Sequence, residues 1–212
     1  MIGQHGSVQK HAVSVERIAQ GVLRLHGDRY RAILQVRPVC LALAAEAEQL
    51  AVVEGFSQAL NAFHFPLQFC VQCLPVDLDA LVGRWQARYA GRVGPLAELA
   101  ADGVAHLRTL AGQRTLLDRG HYVIIHADPP ATGGSWPWSR KPSAGEVWAT
   151  VAEDLSVRCE QVAQELGRCG LDCHRLGDHE LRALLYAAWN PARARLQRLT
   201  PDEPGAAIWE AA

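Results

Sequence analysis

The sequence predicts an α/β (α+β) domain: a single mixed β-sheet of about five strands, opened by an N-terminal hairpin and covered by about five helices. Three observations carry this. Short β-rich apolar runs alternate with long amphipathic stretches between Gly21 and Trp189. A Gly/Asp turn splits the first two runs, as a hairpin requires. Start and stop signals bracket one long helix, with a capping box at Ser143 and Glu146 and a glycine at 170.

Residues 1–16 read as a loose, flexible leader. Gly21–Leu25 and Tyr30–Val36 are the hairpin strands, joined through His26-Gly27-Asp28-Arg29. Strand alternation sets Tyr30, Ala32, Leu34 and Val36 on one face and Arg31, Ile33 and Gln35 on the other. A helix is expected from about Leu43 to Phe63. Its apolar stripe is Leu50, Val53, Phe56, Leu60 and Phe63, at spacings of three and four. Pro66 blocks continuation, and Leu67–Leu74 reads as a third strand. Asp77 is placed to cap a helix running to Tyr89. Gly91 and Gly94-Pro95 break it, and a further helix spans Leu96–Leu117. Arg119-Gly120 ends that helix, and Tyr122–His126 is a fourth strand of strong β-formers.

Asp128–Gly145 is the clearest loop, dense in Pro, Gly and Ser. In the helix that follows, Val147, Val151, Leu155, Cys159, Val162 and Leu166 form the buried stripe, and Gly170 suits the left-handed residue that stops it. Leu171–Leu176 is a fifth strand. Asp178 is read as the cap of a last helix over 179–189, with Leu181, Leu184, Leu185 and Ala188 facing in. Asn190-Pro191 ends it. Because the hairpin forces an antiparallel pair while helices separate the other strands, a mixed sheet related to a split β-α-β plan is expected.

The chain has 212 residues, 49% apolar and 20% charged, with a formal net charge of −1. That suffices for one large domain. Near-neutrality argues against a dedicated nucleic-acid binder, which carries a basic excess. No apolar run reaches the roughly 18–20 residues of a spanning helix, so no transmembrane segment is expected. Met1–Lys10 lacks the apolar core of a signal peptide, which points to the cytoplasm. Six cysteines are too few for a disulfide framework in a chain this long.

Cys70-x-x-Cys73, with Cys169 and Cys173-His174, invites a zinc reading. On a strand, however, three-residue spacing aims the two thiols at opposite faces, whereas zinc needs them to converge. Buried cysteines are the better reading, and no metal or other cofactor is expected. His121 and His126 sit five apart on one strand and face opposite sides. Asp178-His179-Glu180 lacks the second histidine of a zinc-protease helix and reads as an acidic helix start. No Gly-x-x-x-x-Gly-Lys-[Ser/Thr] phosphate loop and no Gly-x-Ser-x-Gly elbow occur, so no catalytic residue is assigned. Gly133-Gly134-Ser135 reads as a turn, because Trp136-Pro137 stands where a helix should begin.

Trp136, Trp138, Arg140 and Lys141 bring interface-type side chains together in the long loop. They fit a protein or lipid-headgroup contact, and equally a loop folded onto its own domain. Arg182, Arg193, Arg195 and Arg198 form a short basic stripe; such a stripe is usually a solvated helix face, and it is also a candidate partner contact, with DNA or anionic lipid fitting less well.

From Ile18 to Pro191 the residues resemble the N-terminal, TraC-like domain of type IV secretion and conjugative-transfer ATPases. The match begins with Ile18-x-x-Gly21-Val22-Leu23-x-Leu25 and Gly27-Asp28-x-Tyr30-Arg31-Ala32-Ile33-Leu34-x-Val36. It continues through Phe65-Pro66-Leu67-Gln68 and Arg119-x-x-Tyr122-Val123-Ile124-Ile125. It closes with Gly170-Leu171-x-Cys173-x-Arg175-Leu176, Glu180-Leu181-x-x-Leu184-Leu185-Tyr186 and Asn190-Pro191. The expected division is thus a leader at 1–16, a TraC-like domain at 17–191 and a tail at 192–212.

The family's ATPase activity does not carry over, because the phosphate loop is missing. The resemblance implies a non-catalytic assembly or docking component at the cytoplasmic face of the inner membrane. Its implied partners are membrane and ATPase subunits of the machine, with homo-oligomerisation also expected. The alternatives are a nucleic-acid-binding accessory factor of DNA transfer or a small enzyme of unrecognised class.

Overall fold

The computed structural model describes residues 15–76, 78–113, 116–129 and 142–191. Their strands are β1 (Val15–Ala19), β2 (Val22–Leu25), β3 (Arg29–Arg37), β4 (Leu67–Pro75), β5 (Leu117–Ala127) and β6 (Asp172–Arg175). The helices are α1 (Glu46–Ala62), α2 (Leu78–Tyr89), α3 (Pro95–Gln113), α4 (Ala144–Arg168) and α5 (Asp178–Trp189), with a single 3-10 turn at Leu41–Leu43. Asp77, the expected cap, lies outside the described residues.

The six strands form one sheet in the order β1-β2-β3-β5-β4, with β6 also on β3. β2 pairs the start of β3 (Leu23 opposite Arg31) and β6 pairs its end (Val36 opposite Cys173). Every one of these pairings is antiparallel, where the sequence suggested a mixed sheet. The reason is strand insertion. β3 and β4 run the same way across the α1 crossover, but β5 lies between them. β5 and β6 do the same across α4, with β3 between them. This is the split β-α-β plan, used twice.

Strand β1 extends the expected hairpin into a three-stranded meander, with Ile18 opposite Leu23. A sharp turn at Gln20 (φ 55°) and Gly21 (φ 69°) joins the two strands. The stretch carries Glu16 and Arg17, and this charge masks its strand pattern in the sequence. Strand β5 starts five residues before the expected Tyr122. Arg119 and Gly120 therefore lie within it, and α3 ends earlier, at Gln113. The glycine fits because the Tyr122 ring folds across it: a Cβ there would come within 2.5–2.8 Å of that side chain.

Helix α4 holds the sheet together. Its Ser143 hydroxyl accepts from the Glu146 amide at 3.3 Å and the Glu146 carboxylate accepts from the Ser143 amide at 2.6 Å, completing the expected box. The far end closes as predicted, with Gly170 at φ 77° and the Leu171 amide donating to the Leu166 carbonyl. Trp148, Val151, Leu155, Cys159, Val162 and Leu166 are buried against Tyr30, Ala32, Leu34, Val123 and Ile125.

On the opposite sheet face α5 covers Leu23, Ile33 and Leu176 with Leu181, Leu184 and Leu185. Its inward set differs from the expected one at two places: Tyr186 is buried and Ala188 exposed. Gly177, not Asp178, is the N-cap. Glu180 accepts from the Gly177 amide at 2.8 Å, while Asp178 reaches back to the amide of Gly21 at 2.6 Å, tying α5 to the β1–β2 turn.

Candidate protein-docking surface

Helix α1 lies on the α4 side of the sheet, over β4. Its contact residues are Ala59, which is buried, with Phe56 and Phe63 half-buried beside it. Gly55 faces Cys169 at the end of α4, close enough that an added Cβ would stand 3.4 Å from the sulfur. The Phe56 ring meets the Phe69 ring of β4 edge-on at 6.0 Å.

The stripe expected to be buried is therefore only half used. Leu50, Val53 and Leu60 remain 58%, 59% and 42% exposed. The helix has two apolar stripes about 100° apart. Val52, Phe56, Ala59 and Phe63 meet the domain, while Leu50, Val53, Ser57 and Leu60 look out past the β4 edge. Sequence periodicity alone could not choose between them, because Phe56 and Phe63 fit either.

Strand β4 continues this surface. It pairs with β5 along its whole length, Leu67 opposite Ile125 through Pro75 opposite Leu117. No described strand pairs its outer side. Phe69 and Val71 are 50% and 56% exposed, on the same face as α1. The sequence Leu67–Pro75 contains no charged residue. The other edge of the sheet is protected differently. β1 carries Glu16 and Arg17, and Glu16 is ion-paired to Arg24 at 3.3 Å. Charge on an edge strand discourages further pairing, and β4 lacks that safeguard.

Between α1, β4 and the chain after β3 runs a groove of about 350 Å³, lined by Val36, Val39, Val53, Phe56, Phe69 and Val71. His121 stands at its floor with Nδ1 buried and unpartnered. α1 adds Glu46, Glu48 and Glu54 around this surface and no base. An apolar groove beside an unpaired strand edge is suited to hold another polypeptide, through backbone hydrogen bonds and apolar side chains. A second concavity of similar volume lies between α2 and α3, where Trp85 packs against Gly103.

The residues singled out in the sequence are scattered. Trp136, Trp138, Arg140, Lys141, Arg193, Arg195 and Arg198 lie outside the described residues, as do Gly133, Gly134 and Ser135. Arg182 is half-buried on α5, across the sheet from α1. Cys70 and Cys73 both lie on β4 and point to opposite faces, as the spacing requires. Among the described residues no group of three or more His, Cys, Asp or Glu is placed to hold a metal. Cys159 is buried on α4, and burial pushes its thiol up to about 11.

His121 and His126 point to opposite faces of β5, because Val36 sits opposite the first and Arg31 opposite the second. Burial, helped by Arg31, holds the His126 imidazole below its usual value. Sequence reasoning missed Arg158. On α4 it is ion-paired to Asp154 at 2.8 Å and donates to the His126 carbonyl at 2.7 Å. It also lies 5.0 Å over the ring of Phe65, two residues before β4.

Among the described residues no helix is long and apolar enough to cross a membrane. No curated protein matches the chain. The model of the archaeal TraC-like domain matches residues 16–191, the span from β1 to the end of α5. The chain therefore belongs to the archaeal TraC-like family.

Proposed function

We propose that the protein is a non-catalytic docking component of a conjugation- or secretion-type machine. It works by surface complementarity at the cytoplasmic face of the membrane, against membrane and ATPase subunits of that machine. TraC-like membership supplies the conjugation- and secretion-related context. The observation that carries the docking role is the α1/β4 surface. Five large apolar side chains (Leu50, Val53, Leu60, Phe69 and Val71) stay exposed beside an uncharged, unpaired strand edge. Isolated domains seldom keep such a patch unless something covers it. The groove next to it is walled mainly by aliphatic and aromatic groups, with Cys70, His121 and Tyr122 among its lining, a largely apolar wall that suits binding rather than bond-making.

The test is direct. The purified chain should neither turn over ATP nor gain melting temperature when ATP and magnesium are added. A tagged chain co-expressed with the membrane and motor subunits of its secretion system should capture at least one of them, and Leu50→Glu should abolish that capture. Measurable ATP turnover, or capture indifferent to Leu50→Glu, refutes the assignment.

A further inference from the structure

We infer that the occupant of the α1/β4 surface is a second copy of this chain, bound across a two-fold axis that meets the open β4 edge at Cys70 and passes the outer side of α1 at the level of Gly55. The inference rests on reading that surface as a docking surface and adds what covers it: self-pairing there builds the two-copy unit that other subunits of the machine capture, so Leu50→Glu, which breaks the pairing, also loses capture. The first argument is level. From Ala62 back to Gly55 the helix rises about 10 Å, and from Leu67 to Cys70 the strand advances about 10 Å. The Phe56–Phe69 ring contact confirms that these two points stand side by side. One axis can therefore pass the middle of both elements.

The second argument is self-complementarity. A dyad at Cys70 makes the two β4 edges antiparallel and sets Phe69 of each copy against Val71 of the other. Gln68 then faces Gln72, so amides meet amides on the opposite face, and no like charges oppose because the strand has none. The same axis at the level of Gly55 brings Leu50 of one α1 against Leu60 of the other and Val53 against Ser57. At the ends of the stripe it sets Glu46, exposed at the start of α1, opposite His64, exposed just after its end. This is an acid facing an imidazole, in both halves of the pair. An isologous contact of this kind closes on itself and leaves no free β4 edge.

The exposed area is of the right order: Leu50, Val53, Leu60, Phe69 and Val71 leave roughly 450 Å² open per copy, and the β4 backbone edge and its glutamines extend this face toward the ~600–1,000 Å² per partner of specific interfaces.

Sedimentation equilibrium on the whole chain tests the assembly. We expect twice the 23.1 kDa chain mass, dissociating on dilution. Val53→Glu, at a position already open to solvent, should raise the dissociation constant by about a hundredfold or more without changing the circular dichroism.

Cross-linking tests the axis independently. Across the dyad two Cys70 residues face each other within disulfide reach, whereas the two Cys73 residues would stand about 20 Å apart. Diamide, which takes up the two electrons and two protons of the thiols, should give a covalent dimer that persists in Cys73→Ser and is lost in Cys70→Ser. A chain of 23.1 kDa at every concentration up to hundreds of micromolar overturns the inference, as does a cross-link that needs Cys73 instead. If the chain is monomeric and Leu50→Glu still abolishes capture of a secretion subunit, the docking function stands and the second-copy inference alone fails. If the dimer forms through Cys70 and capture ignores Leu50→Glu, the inference stands and the docking role falls.

Discussion

Two leucines that look equivalent in the sequence should behave very differently when shortened. Leu155 is fully buried on α4, and Leu50 on α1 is 58% exposed. Leu155→Ala deletes three carbons from the centre of the core that includes Val151, Val162, Leu34 and Ile125. These neighbours are held by the sheet and by α4, so collapse into the void is limited. The expected loss is about 3–4 kcal/mol, within the range for leucine-to-alanine changes in cores. For a domain of this size it lowers the melting temperature by roughly 6–16 °C.

Leu50→Ala removes atoms that are mostly in water already, and alanine is the better helix former, so its cost should stay within about 0.5 kcal/mol. The assay is urea unfolding followed by circular dichroism, at protein concentrations low enough that association contributes nothing to stability. Unchanged slopes would show that the unfolded states are comparable. A loss above about 2 kcal/mol for Leu50→Ala, or below about 1 kcal/mol for Leu155→Ala, would refute the assignment of which stripe meets the core.

Other consequences follow from single contacts. Asp178→Ala removes the carboxylate that accepts from the Gly21 amide, and should cost about 1–3 kcal/mol and speed hydrogen exchange at that amide. The His126 imidazole is held below its usual value in the fold, so the unfolded chain takes up the proton first. Stability should be complete above the unfolded value near 6.5 and fall as pH drops below it, and His126→Gln should flatten that slope, as denaturant midpoints from pH 8 to 5 would show. Of the cysteines, the exposed Cys40 and Cys73 should react quickly with Ellman's reagent at pH 8. Cys159 should wait for unfolding, because burial both hides its thiol and keeps it protonated.

What could be read in advance followed from how local each signal is. The Ser143/Glu146 box and the Gly170 stop involve residues within six positions of one another, and both appear as expected. The buried stripe of α4 was legible because polar residues fill the rest of that helix. On α1 two apolar stripes overlap, and the chain before folding contains nothing that ranks them. Asp178 is a good helix cap by type, yet its carboxylate goes to Gly21, 157 residues away in the chain, and Glu180 serves the helix start instead. For Arg158 the sequence offered only the i,i+4 pair with Asp154; its other two partners, the His126 carbonyl and the Phe65 ring, converge only after α4 crosses the sheet.

By itself the sequence determined the α/β class, the hairpin, the opposed faces of Cys70 and Cys73 and of His121 and His126, and a family resemblance carried in register over the domain. These depend on periodicity, turn chemistry and composition, which act over a few residues. The tertiary structure alone decided that β5 inserts between β3 and β4 and that β6 shares an edge of β3 with β2, which turns every neighbouring pair antiparallel. It also decided that β4 ends the sheet with its outer side open beside the second stripe of α1. Strand order and exposure are set by contacts between distant segments, where the entropy of closing the chain is weighed against the surface each arrangement buries.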